Sequence, residues 1–137
     1  MSVECFFDTN VLVYAASAAP EDERKRHVAI ELVRSENFGL SAQVLQEFYV
    51  TVTRKIRIRI EPSAALALLD LYRAFPLVLT DYPLVVSGIE TALRFRISYW
   101  DGAIIAAAQS LDAEVLFTED LAHGQRYGSV RVVNPFR

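Results

Sequence analysis

At 137 residues the chain has the common length of one domain, enough to bury roughly 68% of the surface its unfolded form exposes, and one unit over residues 1–137 is expected. Hydrophobic residues make up 53% and aromatics 11% of it, on the apolar side for a small soluble protein, which suits a face kept for a homo-oligomer or a bound polypeptide. The formal net charge of −3 excludes a generally basic nucleic-acid binder, so any electrostatic footprint for RNA or DNA has to be local.

Apolar stretches such as residues 104–108 and 84–86 fall far short of the ~18 residues that a membrane-spanning helix needs. The N-terminus carries Glu4 in place of a basic region, and Asp8 interrupts its apolar run, so it does not read as a secretory signal. A single cysteine, Cys5, rules out an internal disulfide and suits a reducing compartment. A cytoplasmic protein with no membrane partner is expected.

No internal repeat or low-complexity linker interrupts the chain. Residues 3–7 are a short apolar run ending in Asp8-Thr9-Asn10, as in a strand that feeds a turn and then a helix through Val11, Leu12 and Tyr14. The acidic Glu21-Asp22-Glu23 suits a helix N-terminus, and Val28, Ile30, Leu32 and Val33 give the apolar part of a helix to about Ser35. A brief strand over 37–40 precedes Ser41, which can cap a helix with the stripe Val44, Leu45, Phe48 and Val52. Pro62 fits the first turn of a helix packed by Leu66, Leu69 and Tyr72, and 76–80 returns as a strand. Asp81 can cap a helix over about 82–95, and Ser98 another through Trp100, Ile104, Ile105 and Leu111; strands over 114–118 and 130–133 follow. Helices alternating with short apolar strands predict an α/β fold, a three-layer α/β/α sandwich around a central, mostly parallel sheet of four to five short strands.

Four carboxylates carry the chemistry. Asp8 and Asp120 each fall at or just past the carboxyl end of an apolar strand, the edge along which open α/β sheets form ligand crevices; either alone can equally be a turn former or helix N-cap. Glu47 borders the stripe of its helix, about 60° round from Val44, where an acid can reach into a cleft or simply be solvated. Asp101 shares an i, i+3, i+4, i+7 face with Ile104, Ile105 and Ala108, and an ionised carboxylate in line with an apolar face requires a partner. Ser98-Tyr99-Trp100-Asp101 also fits the Ser-x-x-acid capping pattern, a role that excludes no other.

Clustered acids raise one another's pKa unless a cation neutralises them, so a cluster of Asp8, Glu47, Asp101 and Asp120 implies a metal. All-oxygen ligation suits Mg²⁺, with Mn²⁺ as a substitute, while His27 lies far in sequence from His123 and leaves no zinc spacing. A carboxylate-held Mg²⁺ that keeps several waters can activate one against a phosphodiester. No Gly-x-Ser-x-Gly elbow and no lysine beside a glycine-rich loop offers another route.

The order and spacing of Phe6-Phe7-Asp8-Thr9-Asn10-Val11-Leu12, Gln46-Glu47-Phe48, Tyr99-Trp100-Asp101-Gly102-Ala103-Ile104-Ile105, Leu116-Phe117-Thr118-Glu119-Asp120 and Val132-Val133-Asn134-Pro135-Phe136 resemble the PIN-domain family over nearly the whole chain. The likeness is closest to its toxin branch, the VapC-like ribonucleases of type II toxin–antitoxin systems. That resemblance implies a Mg²⁺-dependent endoribonuclease with RNA as substrate, and puts Asp8, Glu47, Asp101 and Asp120 at the metal-binding acid positions. Thr9, Asn10 or Thr118 would orient them by hydrogen bonds, and Glu119 beside Asp120 shares the claim to be the fourth acid. It further implies a homodimer and a small antitoxin lying across the active-site groove. Gly102 departs from the expected alanine, a change that would loosen the first turn of its helix.

Other features carry two readings each. Arg54, Lys55, Arg57 and Arg59 interleave with Ile56, Ile58 and Ile60 and either track an RNA backbone or form a solvated helix end. His123 can assist proton transfer but reads better as an exposed loop residue; His27 reads as solvated. Trp100 can stack on a base, though an aromatic at a helix start is more often core. A phosphoacceptor receiver domain needs a lysine near the last strands, whereas Lys25 and Lys55 fall early. A haloacid-dehalogenase-type phosphatase fails for the same reason and for want of a second aspartate at position 10. The remaining alternative is a catalytically weak PIN-fold binding module.

Overall fold

The computed structural model describes residues 2–137. Along them run β1 (Cys5–Phe7), α1 (Thr9–Ala16), α2 (Glu23–Ser35), β2 (Phe38–Ser41), α3 (Ala42–Val50), α4 (Pro62–Tyr72), β3 (Leu77–Val78), α5 (Tyr82–Phe95), α6 (Tyr99–Ser110), β4 (Val115–Phe117), β5 (Arg126–Tyr127) and β6 (Val130–Val133). A 3-10 turn at Pro20–Asp22 leads into α2, and α3 continues as a π-helical turn at Thr51–Lys55. The expected caps form. Ser41 Oγ accepts from Val44 N at 3.2 Å, Asp81 Oδ1 from Leu84 N at 3.0 Å and Ser98 Oγ from Asp101 N at 3.1 Å, each satisfying an amide that the first helical turn leaves free.

The strands form one sheet in the order β3-β2-β1-β4-β6-β5, parallel except for the β5–β6 pair. β1 lies between β2 and β4, with Cys5 opposite Phe38 on one side and Val115 on the other, and it is buried throughout, as a parallel strand covered on both faces must be. The rings of Phe7 and Phe75 each stack on Phe38 with centroids 4.2 Å apart, which ties β1 and β2 to the segment entering β3.

From β1 the chain moves outward through β2 to β3, then returns to place β4 on the opposite side of β1. Right-handed crossovers in the two directions put α1–α4 on one face and α5 and α6 on the other, giving the three-layer sandwich. The reversal also leaves a crevice between the carboxyl ends of β1 and β4, the place where open α/β sheets bind ligands.

Two expectations are corrected. The sheet has six strands rather than four or five; the extra one, β5, pairs Tyr127 with Val130 across Gly128-Ser129, and Gly128 supplies the positive φ of +63° that such a two-residue turn requires. At two residues it is too short for any alternation to reveal. Gly102 does not loosen α6. A Cβ there would lie 2.5 Å from Gly88 O and 2.9 Å from Ala92 Cβ, so the missing side chain lets α5 and α6 pack nearly backbone to backbone. Residues 102–108 of α6 are consequently buried on every side. No helix among the described residues is long and apolar enough to cross a membrane.

Candidate active site

Asp8 ends β1 and caps α1. Its Oδ1 accepts from Thr9 N at 2.7 Å and its Oδ2 from Thr118 Oγ1 at 2.8 Å, so turn formation and a place at the crevice coexist in one residue. The side chain is almost enclosed, with the residue 7% exposed. Burial pushes its carboxyl up to about 6; the hydrogen bonds from Thr118 and Thr9 oppose that rise, and the charges of Asp120 and Glu47 add to it.

Thr118, fully buried just past β4, joins the two strand ends. While donating to Asp8, its Oγ1 accepts from Asn10 Nδ2 and from Asp120 N, both at 3.1 Å. Asn10 Nδ2 also reaches Asp120 Oδ2 at 3.2 Å. On the α3 side, Thr9 Oγ1 donates to Glu47 Oε1 at 2.8 Å; Gln43 Nε2 lies 3.5 Å from Glu47 Oε2 and 3.3 Å from Trp100 O, linking α3 to the start of α6. Asp101 is half-buried at the rim. Its amide bonds to Ser98, and among the described residues its carboxylate accepts no hydrogen bond. The i, i+3 spacing that singles it out is not what distinguishes it, because every residue of α6 from Gly102 to Ala108 is buried.

Glu119 and Asp120 part company. Glu119 accepts from Tyr14 OH at 2.6 Å and from Lys25 Nζ at 2.9 Å, and that bond to Glu119 holds the Lys25 ammonium above its usual pKa. Asp120 instead shares Thr118 with Asp8, and its Oδ2 accepts from Asn10 Nδ2. Neither Tyr14 nor Lys25 stood out in the sequence, since only the fold brings them to Glu119.

Asp8, Glu47, Asp101 and Asp120 all line one cleft of about 820 Å³, with Thr9, Asn10 and Glu119 beside them. Of the basic stretch, Lys55 and Arg57 are on the cleft wall, whereas Arg54 and Arg59 are exposed and outside it. Arg57 is engaged by a two-pronged ion pair with Glu21, at 2.7 Å and 2.8 Å from Nη2. His123 is exposed, away from the cleft, and its Nδ1 accepts from Asn134 N at 3.0 Å; His27 is exposed as well. Trp100 departs from the core role. It is 63% exposed and lines the cleft, because α6 begins at the rim before its buried stretch.

Among the described residues, no three His, Cys, Asp or Glu side chains are grouped so as to hold a metal ion. The chemistry of the donors nevertheless suits a hard divalent cation. All four are carboxylates, and none is ion-paired: the described ion pairs are Lys25–Glu119, Arg57–Glu21 and Arg73–Asp70. The cleft thus gathers four carboxylates, one of them buried, and no described ion pair neutralises any of the four.

No curated protein sequence matches the chain, whereas solved structures share its fold. VapC20 of Mycobacterium tuberculosis, described as a sarcin-ricin loop cleaving toxin, superposes with a TM-score of 0.68 at 20% identity over 85% of this chain and 91% of its own. A toxin-antitoxin complex from Klebsiella pneumoniae gives a TM-score of 0.71 at 16% identity, covering 96% and 97% of the two chains. FitAcB from Neisseria gonorrhoeae gives 0.65 at 20% identity, covering 96% and 98%. The profile of the PIN domain matches residues 5–127, from the first residue of β1 to the last of β5, and takes in all four acids in one frame: the chain belongs to the PIN-domain family.

Proposed function

We propose that this chain is a Mg²⁺-dependent endoribonuclease that hydrolyses RNA phosphodiester bonds, with Mn²⁺ as a substitute, and that it is the toxin of a toxin–antitoxin pair. The observation that carries this reading is the meeting of Asp8, Glu47, Asp101 and Asp120 in one cleft at the β1–β4 reversal, with no cationic side chain paired to any of them. Asp8, Asp101 and Asp120, with Glu47 directly or through water, would hold the ion. When bound, such an ion supplies a water of lowered pKa and neutralises charge on the phosphate.

The chain's own groups do the positioning. Thr118 fixes Asp8 and, with Asn10, aims Asp120; Thr9 aims Glu47. Glu119, tied to Lys25 and Tyr14, sets the course of the segment after β4. Lys55 and Arg57 contact substrate phosphates from the cleft wall, and Arg54 and Arg59 follow the strand outside it. A small antitoxin lies across the cleft, whose wall includes the apolar Val13, Val50, Ile56 and Ile58. A homodimer covers the exposed Tyr82, Ile89 and Leu93 of α5. The protein works in the cytoplasm.

Incubation with structured RNAs tests the activity: cleavage in Mg²⁺ that stops with EDTA and with Asp8→Asn is expected, and cleavage surviving either overturns the mechanism. A second reading, a PIN-fold module that acts only through its partner, is favoured by one observation, the lack of three acids grouped around an ion site among the described residues. Calorimetry separates the two, since Mn²⁺ binding by the antitoxin-free protein is expected of the nuclease alone.

A further inference from the structure

We propose that Trp100 is a stacking platform for one base of the RNA strand in the cleft, a step that rests on the ribonuclease reading above. It is the chain's one tryptophan, and it stands 63% exposed two residues before the buried stretch of α6 from Gly102 to Ala108. Leaving an indole in water forfeits the largest apolar burial any side chain offers, so its position on the cleft wall calls for an occupant.

The ring is held, not loose. It meets Tyr99 edge to face with centroids 5.0 Å apart, and the backbone beneath it is fixed, because the Trp100 carbonyl accepts from Gln43 Nε2 at 3.3 Å, which anchors the start of α6 to α3. A platform fixed in this way loses little freedom when a flat ligand settles on it.

Its surroundings select the ligand. Asp101 is its sequence neighbour, and Glu47 and Gln43 line the same cleft, so an apolar peptide side chain placed on the indole would also face carboxylates. A nucleobase offers a π-face to the ring and polar edges to the amides of Gln43 and Gln46, which also lines the cleft. Because Trp100 adjoins Asp101, the stacked base belongs to a nucleotide next to the phosphate that faces the acids. Every base has a π-face, so the contact adds affinity and orientation with little sequence preference.

The single tryptophan makes the test direct. An Asp8→Asn protein, silenced for cleavage, is titrated with a short single-stranded RNA and with an abasic strand of equal length; the parent protein with Ca²⁺ in place of Mg²⁺ repeats the measurement with the acids intact. Quenching of the intrinsic fluorescence by the RNA and not by the abasic strand is expected. In anisotropy with end-labelled RNA, Trp100→Ala should weaken binding about tenfold or more and Trp100→Phe by less than about threefold, with melting temperatures unchanged because the side chain is exposed. Equal quenching by both strands, or full affinity in Trp100→Ala, overturns the stacking role while RNA binding stands. Quenching by an arginine-rich peptide and not by RNA overturns it in favour of a cation–π contact with a protein partner. If the parent binds no RNA at all, the ribonuclease reading fails and the proposal with it.

Discussion

Thr118 Oγ1 donates to Asp8 Oδ2 at 2.8 Å, and the same hydroxyl accepts from Asn10 and from the amide of Asp120. One buried oxygen at the end of β4 therefore orients acids that arrive on two neighbouring strands. Thr118→Val keeps the shape and removes every one of these bonds, so it should cost about 1–3 kcal/mol in urea unfolding and lower RNA cleavage about tenfold or more. Thr118→Ser should recover most of both. Stability lost without any loss of cleavage would confine the hydroxyl to a packing role.

Asp8 gives a pH dependence of definite sign. Its carboxyl is raised by burial from 3.8 to about 6, so the folded protein favours the protonated form. The stability this contributes is fully present below 3.8 and is lost as the pH rises through about 6, a difference on the order of 3 kcal/mol. Asp8→Asn should therefore raise the melting temperature of the metal-free protein at pH near 7, and the gain should vanish near pH 4. Mg²⁺ should raise the melting temperature of the parent and not of the variant. A variant no more stable than the parent near pH 7 would show that the ionised carboxylate is well solvated.

Much of the fold and of the site is legible in the sequence. Helix caps are local, so Ser41, Asp81 and Ser98 declared three helix starts from the sequence alone. Asp8 and Asp120 could be placed on one rim because each follows an apolar run. What the sequence hid is tertiary or too short to show a period. The Thr51–Lys55 turn carries on the Phe48 and Val52 stripe, so hydrophobic spacing does not separate it from the helix before it. The bond from Lys25 to Glu119 spans 94 residues. Trp100 read as core because its apolarity was visible and its place on the cleft rim was not.

Glu119 and Asp120 can be told apart by substitution. Asp120 shares the Thr118 hydroxyl with Asp8, and the Glu119 carboxylate is committed to Lys25 and Tyr14. Asp120→Ala should reduce cleavage by about a hundredfold or more with little change in stability. Glu119→Gln should leave a cleavage rate within about tenfold of the parent, since it keeps the bond to Tyr14, and Lys25→Met should resemble it. The partly exposed pair should contribute no more than about 1 kcal/mol. The opposite ranking in a side-by-side assay would make Glu119 the fourth acid.

Gly102 couples the packing of α5 to the aim of Asp101. At an open helix position, glycine-to-alanine substitution stabilises by about 1 kcal/mol. Here the new Cβ would meet Gly88 O at 2.5 Å and Ala92 N and Cβ at 2.9 Å, two backbone atoms and a methyl carbon of the neighbouring helix, none of which can rotate aside. α5 has to move off α6, at a typical overpacking cost of about 1–3 kcal/mol. Asp101 is the adjacent residue at the rim, so the shift also displaces its carboxylate relative to Asp8. Gly102→Ala should thus lower both the melting temperature and the affinity for Mn²⁺ measured by calorimetry. A variant that gains stability, as an exposed helical glycine would, shows that α5 has room to yield and that the contact does not set the position of Asp101.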